Sequence, residues 1–204
     1  MKTSFDFIAP FYDRLAKLVF GRSIINSQLH FLNLIPDQAS VLILGGGTGW
    51  ILEELIARKP DCAVCYIEAS SKMLQLTHQR KLNDNITLIH GTEDHIPATI
   101  AFDAVITNFY LDLFPEDRLD KVIRKVTERA RPASVWIATD FIDEGKWWQR
   151  AMLKVMYFFF RNVSAVEAAK LPAWKKRMLQ HLWVEQDSKI WYGGFIGSVI
   201  MKCG

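Results

Sequence analysis

The fold class is decided by the stretch Val41-Leu42-Ile43-Leu44-Gly45-Gly46-Gly47-Thr48-Gly49-Trp50. Its four apolar residues predict a buried strand, and a helix after the glycines is predicted by the helical spacing of Ile51, Leu52, Leu55 and Ile56. Glycine has no Cβ, so such a turn can adopt positive φ and approach a ligand closely. A plain tight turn would not need four glycines in five residues, because glycine loses the most backbone entropy on folding. The stretch therefore predicts a strand, a ligand-binding turn and a helix.

The same alternation continues through the middle of the chain. Short apolar runs predict further strands at residues 62–67, 86–90, 102–107 and 134–139. Helical patterns lie at residues 70–81, with Ser70 as the N-cap, and at residues 116–129. Continuous apolar strands that alternate with helices indicate a mostly parallel sheet covered on both faces.

The two ends of the chain depart from this alternation. Residues 1–35 are predicted to form a helical cap before a core at residues 40–140. Residues 145–181 are predicted to form a helical cover, in which Pro172 separates two helices. In residues 182–204, two strand-like runs joined by the two residues Gly193-Gly194 predict an antiparallel hairpin. We therefore expect one α/β domain over residues 1–204, Rossmann-like and doubly wound, with seven mostly parallel strands ending in that hairpin.

Length, composition and charge exclude several classes of protein. A chain of 204 residues with 50% apolar and 23% charged residues has the composition of one globular domain, which excludes disorder. The net charge of +3 comes from basic and acidic residues mixed along the chain, so no nucleic-acid partner is predicted. The N-terminus lacks the unbroken apolar stretch of a signal peptide, and the apolar residues 151–160 are too few to span a bilayer. We expect a soluble, cytoplasmic protein.

The three cysteines, Cys62, Cys65 and Cys203, are too few and odd in number for a disulfide framework, which indicates a reducing compartment. Cys62 and Cys65 form a CxxC pair. Neither a second pair nor a nearby histidine completes a zinc site, so we expect core packing and no metal.

The glycine turn is where a ligand should bind, because doubly wound sheets bind ligands beyond the carboxyl ends of their strands. A dinucleotide fingerprint, G-x-G-x-x-G/A, would place a small residue where this chain has Trp50, and the Gly-Lys-Ser/Thr of a P-loop is missing. Glu68 ends the second predicted strand, 19 residues after Gly49. That spacing predicts a carboxylate that accepts hydrogen bonds from ribose hydroxyls.

The spacing G-x-G-x-G at Gly45, Gly47 and Gly49 resembles the first motif of class I S-adenosylmethionine-dependent methyltransferases. The resemblance implies S-adenosylmethionine as the cofactor, bound by Gly45, Gly46, Gly47, Gly49, Glu68, Ala69 and Met73. Residues 91–97 resemble the Gly-Asp-Ala-Glu-x-Leu-Pro segment that contacts adenine in this superfamily, with Thr92 in place of the acid. The resemblance implies a contact from Thr92, and Glu93 or Asp94 is the candidate for the exocyclic amine; a solvated loop is the alternative.

The N-terminal sequence Phe5-Asp6-Phe7-Ile8-Ala9-Pro10-Phe11-Tyr12-Asp13 resembles the opening of the ubiquinone/menaquinone biosynthesis C-methyltransferase family. That resemblance implies that Tyr12 reaches the cofactor. The chain departs from the superfamily at Ile43, where an acid usually stands two residues before the first motif glycine. The cofactor's ammonium must then be held by other groups, either carbonyls of the glycine turn or a side chain such as Asn108.

Methyl transfer from a sulfonium is an in-line displacement, so the protein supplies alignment and exclusion of water. If the acceptor needs a base, Asp112, Asp140 and Tyr110 are the candidates by position, with a structural loop as the alternative for Asp112. Aromatic and methionine side chains between Trp147 and Phe160 predict a cover over an apolar or aromatic small-molecule acceptor. The alternative is that these side chains are ordinary core. A weaker form of the functional interpretation is that they form an amphipathic contact with a membrane.

Two other functions are open at this point. The chain is compatible with a non-catalytic protein that keeps the methyltransferase fold and binds a nucleoside ligand or a protein partner, an interpretation favoured by Ile43 and Thr92. A nicotinamide-dependent oxidoreductase is disfavoured by Trp50 and by the terminal hairpin. The sequence does not identify the acceptor, a general base or the oligomeric state.

Overall fold

A seven-stranded sheet forms the centre of the molecule. The computed structural model describes residues 5–163 and 167–204. Its strands are β1 (Ser40–Leu44), β2 (Ala63–Glu68), β3 (Ile86–His90), β4 (Phe102–Asn108), β5 (Ala130–Phe141), β6 (Trp183–Trp191) and β7 (Ile196–Cys203). Their order across the sheet is β3-β2-β1-β4-β5-β7-β6, and the pairs β5–β7 and β6–β7 are antiparallel while the others are parallel. The predicted fold class is confirmed.

Seven α-helices surround the sheet within the described residues. They are α1 (Phe5–Phe20), α2 (Ser23–Leu29), α3 (Trp50–Arg58), α4 (Ser71–His78), α5 (Glu116–Thr127), α6 (Trp147–Val163) and α7 (Trp174–Gln180). Ser70 caps α4 as predicted, because its hydroxyl accepts a hydrogen bond from the Met73 backbone N–H at 3.2 Å. The helices of the two ends occupy the predicted cap and cover segments, and the division of the chain into those segments stays a prediction.

Two hydrophobic clusters explain why the strands are apolar without alternation. Leu42 and Leu44 of β1 lie in one cluster with residues of α5 and α7, whereas Val41 and Ile43 lie in the other with residues of α3. Each strand residue therefore meets helices on its own face of the sheet. The CxxC pair follows the same rule, because Cys65 joins the first cluster and Cys62 the second. The two buried thiols thus pack in separate cores, and burial raises the pKa of Cys65 to about 11.

Two predicted segments differ most from the structure, and the helix predicted at residues 70–81 ends early, at His78. The strand predicted at residues 134–139 extends over Ala130–Phe141, with Ala133 at a φ of +63° and a register irregularity against β4. Pro132 concealed this extension, because proline is rarely found inside a paired strand. The hairpin loop contains the four residues 192–195 instead of two, because β6 ends at Trp191 and β7 begins at Ile196.

None of the helices in the described ranges is long and apolar enough to cross a membrane.

Candidate functional site

A cavity of about 630 Å³ lies at the carboxyl ends of β1, β2 and β4. Its wall contains the glycine turn after β1, Glu68 at the end of β2 and Asn108 at the end of β4. A volume of this size suits a small organic ligand or cofactor. Parallel strands bring these three positions together, which is why sequence-distant residues share one site.

The glycine turn is fixed by close packing on both sides. Gly45, Gly47 and Gly49 have φ values of +63°, +66° and +80°, which side-chain-bearing residues rarely adopt. A Cβ on Gly46 would lie 2.1 Å from the buried ring of Tyr66, although the φ of Gly46 is ordinary. The Tyr66 hydroxyl donates a hydrogen bond to the carbonyl of Gly47 at 2.8 Å. The turn therefore needs glycine for its conformation and for the close approach of neighbouring rings.

Glu68 is the buried acid of the cavity. Its carboxylate accepts hydrogen bonds from the backbone N–H groups of Gly47, at 2.8 Å, and Ser70, at 2.7 Å. Burial raises the pKa of Glu68, and the backbone hydrogen bonds oppose that increase by favouring the charged form. The carboxylate thus ties the glycine turn to the loop after β2 while also lining the cavity.

Ile43 leaves the cavity without an acid before the glycine turn. Its side chain is 1% exposed and packs in the core cluster below the cavity. A different carboxylate reaches the same turn from α1, because Asp13 lines the cavity and accepts a hydrogen bond from the Thr48 hydroxyl at 2.6 Å. Asp13 is therefore a candidate for the function of the missing acid.

Asn108 lines the cavity with an amide that has no partner in the protein. Its Oδ1 and Nδ2 atoms are both shielded from solvent, and neither makes a hydrogen bond within the described residues. A buried amide without a partner is energetically costly, which favours a ligand that supplies the missing hydrogen bonds. The unpartnered amide of Asn108 therefore fits a cavity that binds a polar cofactor.

The segment after β3 holds a second buried acid. Thr92 caps the short helical turn Glu93–His95, and Tyr110 donates a hydrogen bond from its hydroxyl to Glu93 at 3.0 Å. The Glu93 side chain is 1% exposed and also pairs with Arg118. Thr92 and Glu93 line the cavity, whereas Asp94 is paired with Lys125 on α5 and is not part of the wall. Of the two acids considered for the adenine contact, Glu93 is the better placed.

The predicted cofactor residues that line the cavity are Gly45, Gly46, Gly47, Glu68, Ala69, Met73, Thr92, Glu93 and Asn108. Gly49 is not in the wall; it precedes α3, and a Cβ there would lie 2.7 Å from Thr77 of α4, so its function is helix packing. Tyr12 lies in α1, but its side chain is outside the described part of the structure. Contact of these residues with a cofactor stays a prediction.

The prediction that the aromatic side chains between Trp147 and Phe160 line the cavity is wrong for the described residues. One face of α6, with Leu153 and Tyr157, packs into a third hydrophobic cluster beside β5 and β7, and none of these side chains reaches the wall. Apolar side chains of the wall come instead from other elements, among them α2, α3 and the segment after β4: Ile24, Ile25, Trp50, Ile51, Phe109, Leu113 and Phe114.

Two of the candidate bases form a buried pair away from the cavity wall. Asp140 accepts hydrogen bonds from the backbone N–H groups of Leu111, at 2.9 Å, and Asp112, at 3.2 Å. Burial raises the pKa of Asp112 to about 7, and burial together with the nearby Asp112 raises that of Asp140 well above its usual value. These contacts support a structural function, since the pair holds the loop after β4. Tyr110 lines the cavity, but its hydroxyl is engaged by Glu93.

The carboxylates of α1 were not predicted as site residues. Asp6 accepts hydrogen bonds from the Ser70 hydroxyl at 2.6 Å and the Lys72 backbone N–H at 3.1 Å. Burial opposes ionisation of Asp6, but these hydrogen bonds outweigh it and lower the pKa. Asp6 and Asp13 thus fasten α1 to the loop after β2 and to the glycine turn. The loss of the acid at Ile43 was the sequence signal that could have prompted a search for Asp13.

Comparisons with known proteins place this geometry in context. A family model described as "Methyltransferase domain" matches residues 41–133. The chain is 24% identical over 143 residues to the malonyl-(acyl-carrier protein) O-methyltransferase of Priestia megaterium, covering 69% of this chain and 51% of that protein. It therefore spans about half the length of that relative. It is 21% identical over 192 residues to the carboxy-S-adenosyl-L-methionine synthase of Nautilia profundicola, covering 91% of this chain and 82% of that one.

Solved structures share the fold at low identity. A complex between the Haloferax volcanii Trm112 methyltransferase activator and a methyltransferase matches with a TM-score of 0.78 and 10% identity, over 100% of this chain and 99% of that one. The N-methyltransferase NodS from Bradyrhizobium japonicum matches with a TM-score of 0.65 and 15% identity, over 88% of this chain and 94% of that one. The narrower resemblance to quinone C-methyltransferases stays a prediction. The comparisons confirm the predicted resemblance to class I S-adenosylmethionine-dependent methyltransferases, over residues 41–133 and in the fold.

Proposed function

We propose that this protein binds S-adenosylmethionine in the cavity and transfers its methyl group to a small, apolar or aromatic molecule. The observation that carries the proposal is the glycine turn joined to Glu68, which places a buried carboxylate beside a backbone that a ligand can approach closely. A carboxylate at this strand end suits the vicinal hydroxyls of a ribose. The family match over residues 41–133 and the methyltransferase relatives support this cofactor.

The ammonium of the cofactor needs an acceptor that Ile43 does not supply. Asp13 and the Oδ1 atom of Asn108 are acceptors in the cavity wall, one on α1 and the other at the end of β4. An ionised carboxylate makes stronger hydrogen bonds to an ammonium than a neutral amide does. We therefore assign the ammonium to Asp13 and a hydrogen bond to a polar group of the bound ligand to Asn108.

The acceptor's class follows from the apolar part of the wall. Ile24, Ile25 and Phe109 are among the side chains there, and they favour an apolar or aromatic group over a phosphorylated one. When bound, the cofactor supplies an electrophilic methyl carbon, so no protein nucleophile is required. The chain's own contribution is to hold both reactants in line and to keep water from the reacting atoms. No side chain is assigned as a general base.

Isothermal titration calorimetry with S-adenosylhomocysteine and with NAD separates this proposal from a dinucleotide-binding function. We expect binding of S-adenosylhomocysteine and none of NAD; the reverse pattern would refute the proposed cofactor. Glu68→Gln should weaken binding, because an amide replaces one carboxylate oxygen with a donor. Glu128→Gln is the matched control, since Glu128 is exposed at the end of α5 and lies outside the cavity wall.

Catalysis is tested separately with cofactor labelled in its methyl group. Transfer of label to an apolar fraction of a metabolite extract supports an enzyme with a small-molecule acceptor. Binding without any transfer would favour the alternative, a non-catalytic protein of this fold that binds a nucleoside ligand or a partner. The matched Haloferax volcanii structure, which is a complex with an activator, is the observation that keeps a protein partner as part of that alternative.

A further inference from the structure

Helix α6 has apolar side chains on both of its faces. Its inner face, with Leu153 and Tyr157, is buried in the third hydrophobic cluster. Its outer face exposes Trp147 by 82%, Val155 by 69% and Phe158 by 75%. The outer positions follow helical spacing, so they form one stripe along the helix. An exposed apolar stripe on an otherwise well-packed helix indicates a surface that binds something apolar.

Helix α1 contacts α6 and has an exposed apolar side of its own. Leu15, Leu18 and Val19 are exposed by 44%, 83% and 38%, and their spacing of three and four residues places them on one side of the helix. The acids of α1 do not contribute to that side, because Asp6 and Asp13 bind the core. We call the exposed sides of α1 and α6 the outer face.

The charged side chains of the outer face are basic. Helix α6 contains no acidic residue, and its exposed charges are Arg150, Lys154 and Arg161. From α1 and the turn after it come Arg14 and Arg22, which are both exposed, whereas Lys17 lies on another side of α1, in the cavity wall. Among the described residues, the nearby acid Asp143 lies 3.8 Å from Arg150, but Lys154 and Arg161 have no ion pair. Apolar side chains among unpaired cations are the pattern of helices that lie on anionic bilayers.

We propose that the outer face of α1 and α6 docks on the surface of a bilayer that contains anionic phospholipid. The apolar side chains enter the boundary of the acyl chains, and the cations contact the headgroups. A second copy of this chain would bring the same basic charges to the contact, whereas an anionic bilayer supplies opposite charges together with an apolar layer. The cavity lies against another side of α1, where Ala16 and Lys17 are part of its wall. The docking proposal does not depend on methyl transfer.

The test is cosedimentation of the full chain with vesicles of phosphatidylcholine alone and of phosphatidylcholine mixed equally with phosphatidylglycerol. We expect binding to the mixed vesicles that weakens as salt rises, and little binding to phosphatidylcholine. Val155→Glu should weaken binding about tenfold or more, because it removes an inserted side chain and adds a repelled charge. Val184→Glu is the matched control, since Val184 is 55% exposed on β6 and outside the outer face.

A second pair of variants tests the charges without changing the apolar stripe. Lys154→Glu should weaken binding by about tenfold, whereas Lys121→Glu, on the exposed side of α5, should leave it unchanged. Absence of binding to both vesicles, equal binding to both, or equal loss in all four variants would overturn the proposal. Self-association that Val155→Glu abolishes, without vesicle binding, would assign the outer face to a second copy instead. If vesicle binding fails while the variants still bind S-adenosylhomocysteine, the docking proposal is wrong and the proposed cofactor site is unaffected.

Discussion

The carboxylate of Asp13 offers the sharpest test of the proposed cofactor site. Asp13→Asn preserves the shape of the side chain and an oxygen that can accept the Thr48 hydroxyl, but it removes the negative charge. A charge-assisted hydrogen bond contributes about 1.5–3 kcal/mol. Because Asp13 is only partly buried, we expect the lower value, which corresponds to about tenfold weaker binding.

The assay compares two ligands by calorimetry. S-adenosylhomocysteine carries the ammonium, whereas 5′-methylthioadenosine keeps the nucleoside and the sulfur but lacks the amino-acid part. Asp13→Asn should weaken the first and leave the second unchanged, while Glu68→Gln should weaken both. Asp37→Asn is the matched control, because Asp37 is exposed, pairs with Lys59 and is not part of the cavity wall. Equal losses for both ligands in Asp13→Asn would refute the assignment of the ammonium to this residue.

Three further outcomes are expected. Gly46→Ala should lower the free energy of unfolding in urea more than Gly47→Ala, because a Cβ on Gly46 meets the Tyr66 ring at 2.1 Å whereas one on Gly47 finds its nearest atom at 3.9 Å and bears only the strain of positive φ. The raised pKa of about 7 for Asp112 means that the native state keeps a proton that the unfolded chain loses near pH 4, so the contribution of Asp112 to stability should fall as pH rises between these values, by at most about 1.4 kcal/mol per pH unit. Asp112→Asn should make the free energy of unfolding in urea less dependent on pH in this range. An unchanged slope against pH would contradict the raised pKa of Asp112. In hydrogen exchange, S-adenosylhomocysteine should slow exchange of the amides of α1 and leave that of the α6 amides unchanged, because of these two helices only α1 lines the cavity.

The sheet and the glycine turn were predictable because their signals are local. Apolar runs such as residues 41–44 can be buried on both sides only in a covered sheet. The spacing from Gly49 to Glu68 is the length of one helix and the strand that follows it. Residues that line the cavity at strand ends, such as Asn108, follow directly from that topology.

The cover was not predictable in the same way. The composition of α6 shows that it is apolar, but apolar side chains on both sides of a helix do not say which face meets the core and which meets the cavity or solvent. The packing of Leu153 and Tyr157 against β5 and β7 depends on the antiparallel end of the sheet, which is distant in sequence. The contact of Asp13 with Thr48 likewise joins residues 35 positions apart, and no local pattern encodes it.

The proposed ammonium site makes cofactor binding depend on α1, which lies outside the matched methyltransferase domain at residues 41–133. In a site with an acid at position 43, the carboxylate would be part of the rigid sheet. Here it is on a helix that is held to the core by Asp6 and Asp13 and whose other side belongs to the outer face. Anything that stabilises the docked position of α1 should therefore raise cofactor affinity, because the binding-competent state becomes more populated. By linkage, a bilayer that contacts α1 and a cofactor that contacts Asp13 would strengthen each other's binding by the same factor.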